Sequence, residues 1–343
     1  MLPLRLRLDV QALQANWNML DRMSGTAACG AAVKANGYGL GASQVVEWLA
    51  AAGCRDFFVA TWAEAAALAP LGVTVSVLHG VREEDMADAL AGFARPVLNS
   101  PAQVTRWKNA GGGACDVMVD TGMNRLGVSV GDVAGGLLDG LSIDTLMSHL
   151  ASADETGPEP EAMTERQRAG LAGLAGHTSA QRMSLANSAG IALGSGYAFD
   201  LTRPGLALYG GVPRPEFAGV IRQVAFPEAQ VLQRRTVRAG ESVGYNATWI
   251  ARADTQVAIL NIGYADGYPR GFSNRGSART GDTALPVLGR VSMDLAAIDV
   301  GGQAVAEGDW LGIDFDIPEA AHASGVSQYE LLTGLGQRYQ RIV

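Results

Sequence analysis

The sequence predicts an α/β fold: a (β/α)8 TIM-like barrel over residues 9–218, followed by a mostly β domain built from residues 1–8 and 219–343. Three observations lead there. Between about residue 30 and residue 210, short apolar runs alternate with Ala- and Leu-rich helical patterns. The runs are nearly continuously apolar, as parallel strands covered on both faces require. Beyond about residue 218 the helical periodicity fades, and short strands separated by Gly- and Asp-containing turns take over.

The elements follow in order. LRLRLDV, near the start, alternates apolar and charged residues and reads as a half-buried strand that pairs into the second domain. The barrel strands are GAAVKA, DFFVAT, VSVLHG, PVLNS, CDVMVD, TLMSHL, RMSLAN and TRPGLALYG. Between them lie the helical segments SQVVEWLAAAG, WAEAAALAPLG, EEDMADALAGF, PAQVTRWKNAG and ERQRAGLAGLAG. Eight such units in a row fit a closed barrel. A doubly wound open sheet is the alternative, but it rarely strings together so many units. QVLQRRTV, ARADTQVAILNIG, ALPVLGRVSM and AAIDV supply the strands of the second domain.

Composition narrows the function. Of 343 residues, 48% are apolar and 17% charged, which fits a globule with a large core. The net charge of −8 offers no basic field for nucleic acid. Cys29, Cys54 and Cys115 are an odd number and far apart, which argues against a disulfide framework and a cysteine zinc site. No apolar run approaches the roughly 18 residues of a membrane span. MLPLRLRLDV lacks the apolar core of a signal peptide, so a cytoplasmic location is expected.

In such barrels the chemistry sits at the C-terminal ends of the strands. The first strand ends in Lys34, the fifth in Asp120 with Arg125 nearby, the sixth in His149, and the seventh in Asn187-Ser188. The eighth is expected to begin near Arg203 and run to Tyr209. NSAG offers a hydroxyl, a small-residue turn and a helix start, all suited to a phosphate. A lysine at a barrel mouth beside a phosphate site is the layout of a pyridoxal phosphate enzyme, in which a desolvated amine forms a Schiff base with the cofactor. Taken alone, a strand-end lysine more often reaches out to water.

AVKANGYG, VDTGMNRLG, ANSAG, TRPGLALYG, SVGYNATW, IGYADG and GRVSMD occur in this order and span almost the whole chain. Together they resemble the alanine racemase family, whose members depend on pyridoxal phosphate. The resemblance implies a (β/α)8 barrel followed by a β domain that the first strand joins. It implies interconversion of L- and D-alanine, supplying D-alanine for peptidoglycan, by a homodimer with active sites shared between subunits. By the same resemblance Lys34 would carry the cofactor and act as one acid/base, and Tyr245 of a partner subunit would be the other. Tyr38, Asn187, Ser188, Gly205 and Leu206 would surround the phosphate, the last two through backbone N–H groups. His149 would lie near the pyridine ring, Arg203 would face its nitrogen, and Arg125 would meet the substrate carboxylate or the phenolic oxygen. Met293, Asp294 and Tyr264 would line the substrate entrance on the partner subunit.

These residue types make chemical sense. Racemisation removes a proton from one face of Cα and delivers another to the opposite face, which two bases on opposite sides achieve. Unperturbed Lys and Tyr titrate near 10, so burial and neighbouring positive charge must lower them. Arginine at a pyridine nitrogen can only donate, which leaves the ring nitrogen mostly neutral and disfavours transamination.

Three positions depart from the family pattern. Met118 stands where most members have a carbamylated lysine that orients the arginine matching Arg125. Ser184 stands where a histidine commonly braces the arginine matching Arg203. Gln337 falls about where some members place a phosphate-binding tyrosine. Met118 keeps another amino acid, such as serine, open as substrate. A binding protein without turnover would lack the β domain and the second base. A decarboxylase would carry a carboxylate where Arg203 stands. His79, His177 and His322 carry no motif and read as structural or solvated, while Asp120 and Asp266, in the turn-like contexts VDTG and ADG, read as structural residues that organise loops.

Overall fold

The computed structural model describes residues 2–343. The chain enters through the strand Leu4–Leu8, whose leucines are buried while Arg5 and Arg7 lie outward. The Arg5 guanidinium lies 3.6 Å from the centroid of the Trp310 ring and that of Arg7 4.2 Å from that of Phe226, so each cation also covers an aromatic face. Asp9 then starts a helix over Val10–Ser24, its carboxylate accepting from the Ala12 N–H at 2.8 Å. The sequence pattern above gave no helix there.

A ring of parallel strands follows. The first is split into Ala28–Cys29 and Ala31–Ala32. Ala28–Cys29 pairs with Leu201–Thr202, and Ala31–Ala32 pairs with Asp56–Val59. Thr74–Val77, Arg95–Leu98, Cys115–Asp120, Ile143–Met147 and Arg182–Ser184 complete the ring. Gly30 sits at the split because a Cβ there would come within 2.8 Å of Asp56 O on one neighbouring strand and 3.3 Å of Thr202 O on the other. The helices between strands begin with local caps. Thr61 and Glu64 form a capping box on Trp62–Leu68, and Ser100 caps Pro101–Asn109.

The eighth strand departs from expectation. TRPGLALYG is not a strand. Pairing ends at Thr202, and Leu206–Tyr209 forms a short 3-10 turn after Pro204-Gly205. Pro204 has no N–H to continue a ladder. The buried Tyr209 hydroxyl instead donates to Ala32 O at 2.8 Å, tying this turn to the first strand.

The second sheet is antiparallel over most of its pairings. Thr255–Leu260, Ala296–Asp299, Thr283–Leu288, Ser277–Thr280, Trp310–Ile313 and Ala225–Val237 run in that order, and Ala225–Val237 also pairs with Thr255–Leu260, closing a small barrel. Leu4–Leu8 adds to the long strand, and Gln340–Ile342 pairs parallel to Leu4–Leu8. Helices at Ile317–Ser324 and Gln328–Thr333 correct the expectation that helical structure fades after the barrel. Both are short and carry clear signals: Asp316 with Pro318 in the first turn, and a Ser327–Glu330 capping box.

Candidate active site

A cavity of about 320 Å³ opens at the C-terminal ends of the barrel strands. Its walls include Lys34, Tyr38, Arg125, His149, Asn187, Ser188, Arg203, Gly205 and Leu206, so every barrel residue expected at the site meets there. Among ionisable groups, Asp120 and His79 also line it, as does Tyr329.

Lys34 follows the first strand at the start of an unusual turn. Ala35, Asn36, Gly37, Tyr38 and Gly39 have φ of 52, 54, 64, 53 and 85°, five consecutive left-handed residues. Only glycine, and to a lesser degree asparagine, adopts this region cheaply. External bonds hold the turn. Ala35 N–H donates to Glu64 Oε1 at 2.7 Å, Ala42 N–H to Asn36 Oδ1 at 3.0 Å, and Arg341 Nη2 to Gly39 O at 2.5 Å. Burial lowers the Lys34 pKa from its ordinary value, Arg125 lowers it further, and Glu64 opposes both.

Tyr38 stacks on Tyr209 with centroids 4.5 Å apart, and Tyr329 stands 6.4 Å away from it. A Cβ on Gly205 would collide with the Tyr38 hydroxyl, so glycine is required there. The buried Ser188 hydroxyl accepts from Gly205 N–H at 2.9 Å and Ala207 N–H at 3.2 Å. Asn187 caps the following helix through Gly190 N–H at 2.9 Å. These converging N–H and O–H groups form a patch suited to an anion.

Arg203 is buried, and burial lowers its pKa to about 10. The question raised by Ser184 has an answer in the structure. Arg203 Nη1 donates to Ser184 Oγ, Ser184 Oγ donates onward to Leu201 O, and Arg203 Nη2 donates to Ser148 O at 2.6 Å. A serine and a carbonyl brace the guanidinium. The His149 pKa falls to about 3 through burial first, then the charges of Arg203, Arg125 and Lys34, so its imidazole stays neutral. Gln167 pins the His149 loop, donating to His149 O at 2.8 Å and accepting from Ala151 N–H at 2.9 Å.

Arg125 rides on a loop shaped by Asp120, whose Oδ1 accepts from Gly122 N–H at 2.8 Å and Asn124 N–H at 3.1 Å. Met118 forms part of the wall and offers no charge. Among the described residues no carboxylate forms an ion pair with Lys34, Arg125 or Arg203.

Tyr245, Tyr264, Met293 and Asp294 do not line this cavity. Tyr245 is 64% exposed and Met293 53% exposed, both on the β domain. Tyr264, Met293 and Asp294 are gathered together. Tyr264 N–H donates to Ser292 O and Ala265 N–H to Met293 O, each at 3.0 Å. Arg338 clamps the cluster, donating to Asp266 at 2.6 Å and Asp294 at 2.8 Å.

Gln337, one of the departures from the family pattern, is exposed on the C-terminal tail and does not line the cavity. Tyr329 lines it instead. It was missed because its helix, Gln328–Thr333, was not read from the pattern. His79, expected to be structural or solvated, is exposed on the cavity wall.

A parallel barrel with a desolvated lysine, a neutral histidine and two arginines free of carboxylate ion pairs at its mouth defines an enzyme that takes an anionic ligand. Comparison with known proteins narrows this. The model of the alanine racemase N-terminal domain matches residues 8–213, and that of the alanine racemase C-terminal domain matches residues 224–343. The chain is 42% identical over 354 residues to the alanine racemase of Acidiphilium cryptum, covering 98% of both, and 41% identical to that of Methylobacterium nodulans, covering 98% and 95%. Among solved structures it is similar to the Bartonella henselae alanine racemase with covalently bound pyridoxal phosphate, at a TM-score of 0.89, 32% identity and 99% coverage of both chains. It is also similar to the biosynthetic alanine racemase of Pseudomonas aeruginosa, at a TM-score of 0.88 and 31% identity, covering 100% and 99%. The chain belongs to the alanine racemase family.

Proposed function

We propose that this chain is a cytoplasmic, pyridoxal phosphate-dependent alanine racemase, acting as a homodimer and supplying D-alanine for peptidoglycan. The observation that carries the reading is the shared cavity of Lys34 and Arg203 beside the Ser188 and Gly205 donors. We divide the chain into a cofactor-binding barrel, residues 9–218, and a β domain, residues 1–8 and 219–343, that carries the second base.

The residues present fit the cofactor. The N–H groups of Gly205 and Ala207, now held by Ser188 Oγ, are donors that a phosphate can take over, and Gly205 leaves no Cβ in the way. Tyr38, Asn187, Ser188, Gly205 and Leu206 hold the phosphate, and Arg203 donates to the pyridine nitrogen. When bound, pyridoxal phosphate withdraws electrons from the substrate Cα and acidifies its proton. Lys34 anchors the cofactor and moves a proton at one face of Cα. Its depressed pKa makes neutral amine available for that step. His149 stays neutral beside the ring. Arg125 binds the substrate carboxylate.

The opposite face needs a second base, and Tyr245 of the same chain lies outside this cavity. Tyr245 of a second copy supplies it, with Met293, Asp294 and Tyr264 of that copy at the entrance. The exposed Tyr245, Ile250, Met293 and Leu295 give the β domain an apolar surface for such a copy.

Purified protein with pyridoxal phosphate and L-alanine in D2O tests the reading. Loss of the α-proton signal together with D-alanine, both absent in Lys34→Ala, supports it. A cofactor-loaded protein that exchanges no α-proton of alanine refutes it. Met118 favours a second reading, a wider substrate range, because it offers Arg125 no charged group to hold it. A pocket rejects one extra hydroxyl by only about 10–200-fold, so kcat/KM for serine against alanine measures that range.

A further inference from the structure

Glu64 caps its own helix and holds the turn after Lys34, but it takes no part in the reaction proposed above. Its carboxylate joins two strand ends. Oε1 accepts from Ala35 N–H at 2.7 Å, and Oε2 accepts from Ala60 N–H at 2.7 Å and Thr61 N–H at 3.3 Å. Ala60 and Thr61 follow the second barrel strand, Asp56–Val59. Ala35 is the residue after Lys34 and the first of the left-handed run. As an acceptor for the backbone of both strand ends, one half-buried side chain fixes the height and direction at which Lys34 leaves its strand.

Resting on the reading of Lys34 as cofactor anchor, we propose that Glu64 is a positioning residue that sets both the place and the basicity of the Lys34 amine. A purely structural role would end at the helix cap it shares with Thr61. Two observations go further. The bond to Ala35 leaves the helix entirely, and the carboxylate opposes the lowering of the Lys34 pKa. The ionisable groups that share the cavity wall with Lys34 are Arg125, His149, Arg203, Asp120, His79, Tyr38 and Tyr329. Arg125 is the cation that lowers the Lys34 pKa, and Glu64 is the carboxylate that opposes it from the strand end beside Lys34.

The sequence makes the test clean, because it holds two lysines, Lys34 and Lys108. Lys108 donates to Leu137 O at 2.7 Å, away from the cavity, and serves as an internal reference. The full chain freed of cofactor is reductively methylated with 13C and titrated by NMR. Glu64→Gln is expected to lower the Lys34 midpoint by about half a pH unit and leave Lys108 unmoved. Thr61→Ala removes the other half of the cap, lowers Tm and leaves both midpoints in place. An unmoved Lys34 in Glu64→Gln, or an equal shift in Thr61→Ala, overturns the proposal.

If Glu64→Gln does not fold, hydrogen exchange on the unaltered chain decides. The amide of exposed Ala35 should exchange at least about tenfold slower than in an unstructured peptide, since its N–H is bonded to Glu64. Unprotected exchange overturns the proposal. These readouts are independent of turnover, so a chain that racemises alanine can still refute the role of Glu64, and an inactive chain can still support it.

Discussion

The two ends of the barrel handle charge in opposite ways. At the floor, Asp56, Asp116 and Asp144 interlock with Arg95 and Arg182. Arg182 donates to Asp56 at 2.9 and 3.1 Å and to Asp144 at 2.6 Å, Arg95 reaches Asp144 at 2.9 Å, and Ser76 donates to Asp116 at 2.6 Å. At the mouth, Lys34, Arg125 and Arg203 share one cavity, and Arg203 leans on a serine and a carbonyl rather than on a carboxylate. The floor pairs its carboxylates with guanidinium groups of the same chain, whereas the three cations at the mouth have no carboxylate ion pair. Buried charges that find partners in the chain serve architecture, and cations left without carboxylates stand ready for an anionic ligand.

The comparison can be broken at either end. Lys34→Ala should abolish turnover, by about 10⁴-fold or more in kcat, while thermal unfolding stays close to that of the parent chain. Arg182→Ala should do the reverse. It strips Asp56 and Asp144 of a shared partner and is expected to cost about 3 kcal/mol of unfolding free energy, with KM for alanine unchanged. Denaturant unfolding and initial rates on the same preparation separate the two.

His149 sharpens the contrast through pH. Unfolded, its imidazole takes a proton near the ordinary 6.5, but in the fold it refuses one until about pH 3. A folded pKa below the unfolded one means that stability falls as pH drops through that window. The loss between pH 7 and pH 5 should be on the order of 1–2 kcal/mol, and His149→Gln should flatten it. The smallest effect is expected from Ser184→Ala. It removes one of two acceptors from Arg203 and should weaken cofactor binding about fivefold, read by absorbance titration.

Much of this was legible in the sequence, and the misses share a cause. Continuous apolar runs gave the barrel, because parallel strands covered on both faces are mostly apolar, the few buried polar residues such as Ser76 and Asp116 being hydrogen-bonded to each other. Lys34, Arg125, His149, Ser188 and Arg203 were legible because each ends or follows such a run. The eighth strand was overextended because LALYG is as apolar as a strand, yet Pro204 and the Tyr209–Ala32 bond turn it aside. Helix Val10–Ser24 carries an apolar stripe through Leu13, Trp17 and Leu20 that was left unread, and the two short C-terminal helices offer mainly their capping residues as a signal. Tyr329 was lost with one of those helices. The floor network was illegible for a different reason. Asp56, Arg95, Asp144 and Arg182 each open a strand or sit near its start, and only the closed ring brings them within bonding distance. The left-handed turn after Lys34 was likewise hidden, since Ala35 and Tyr38 are residues that ordinarily avoid that region.

On the function proposed above, the site at the mouth is completed by Tyr245 of a second copy. Mixing two inactive variants, Lys34→Ala and Tyr245→Phe, under conditions that let subunits exchange tests it most directly. Each mixed dimer would hold one site with Lys34 from one chain and Tyr245 from the other. Random reassortment at equal amounts then restores about a quarter of the parent activity. Activity that stays at the sum of the two separate variants, with exchange of subunits verified, would contradict the claim.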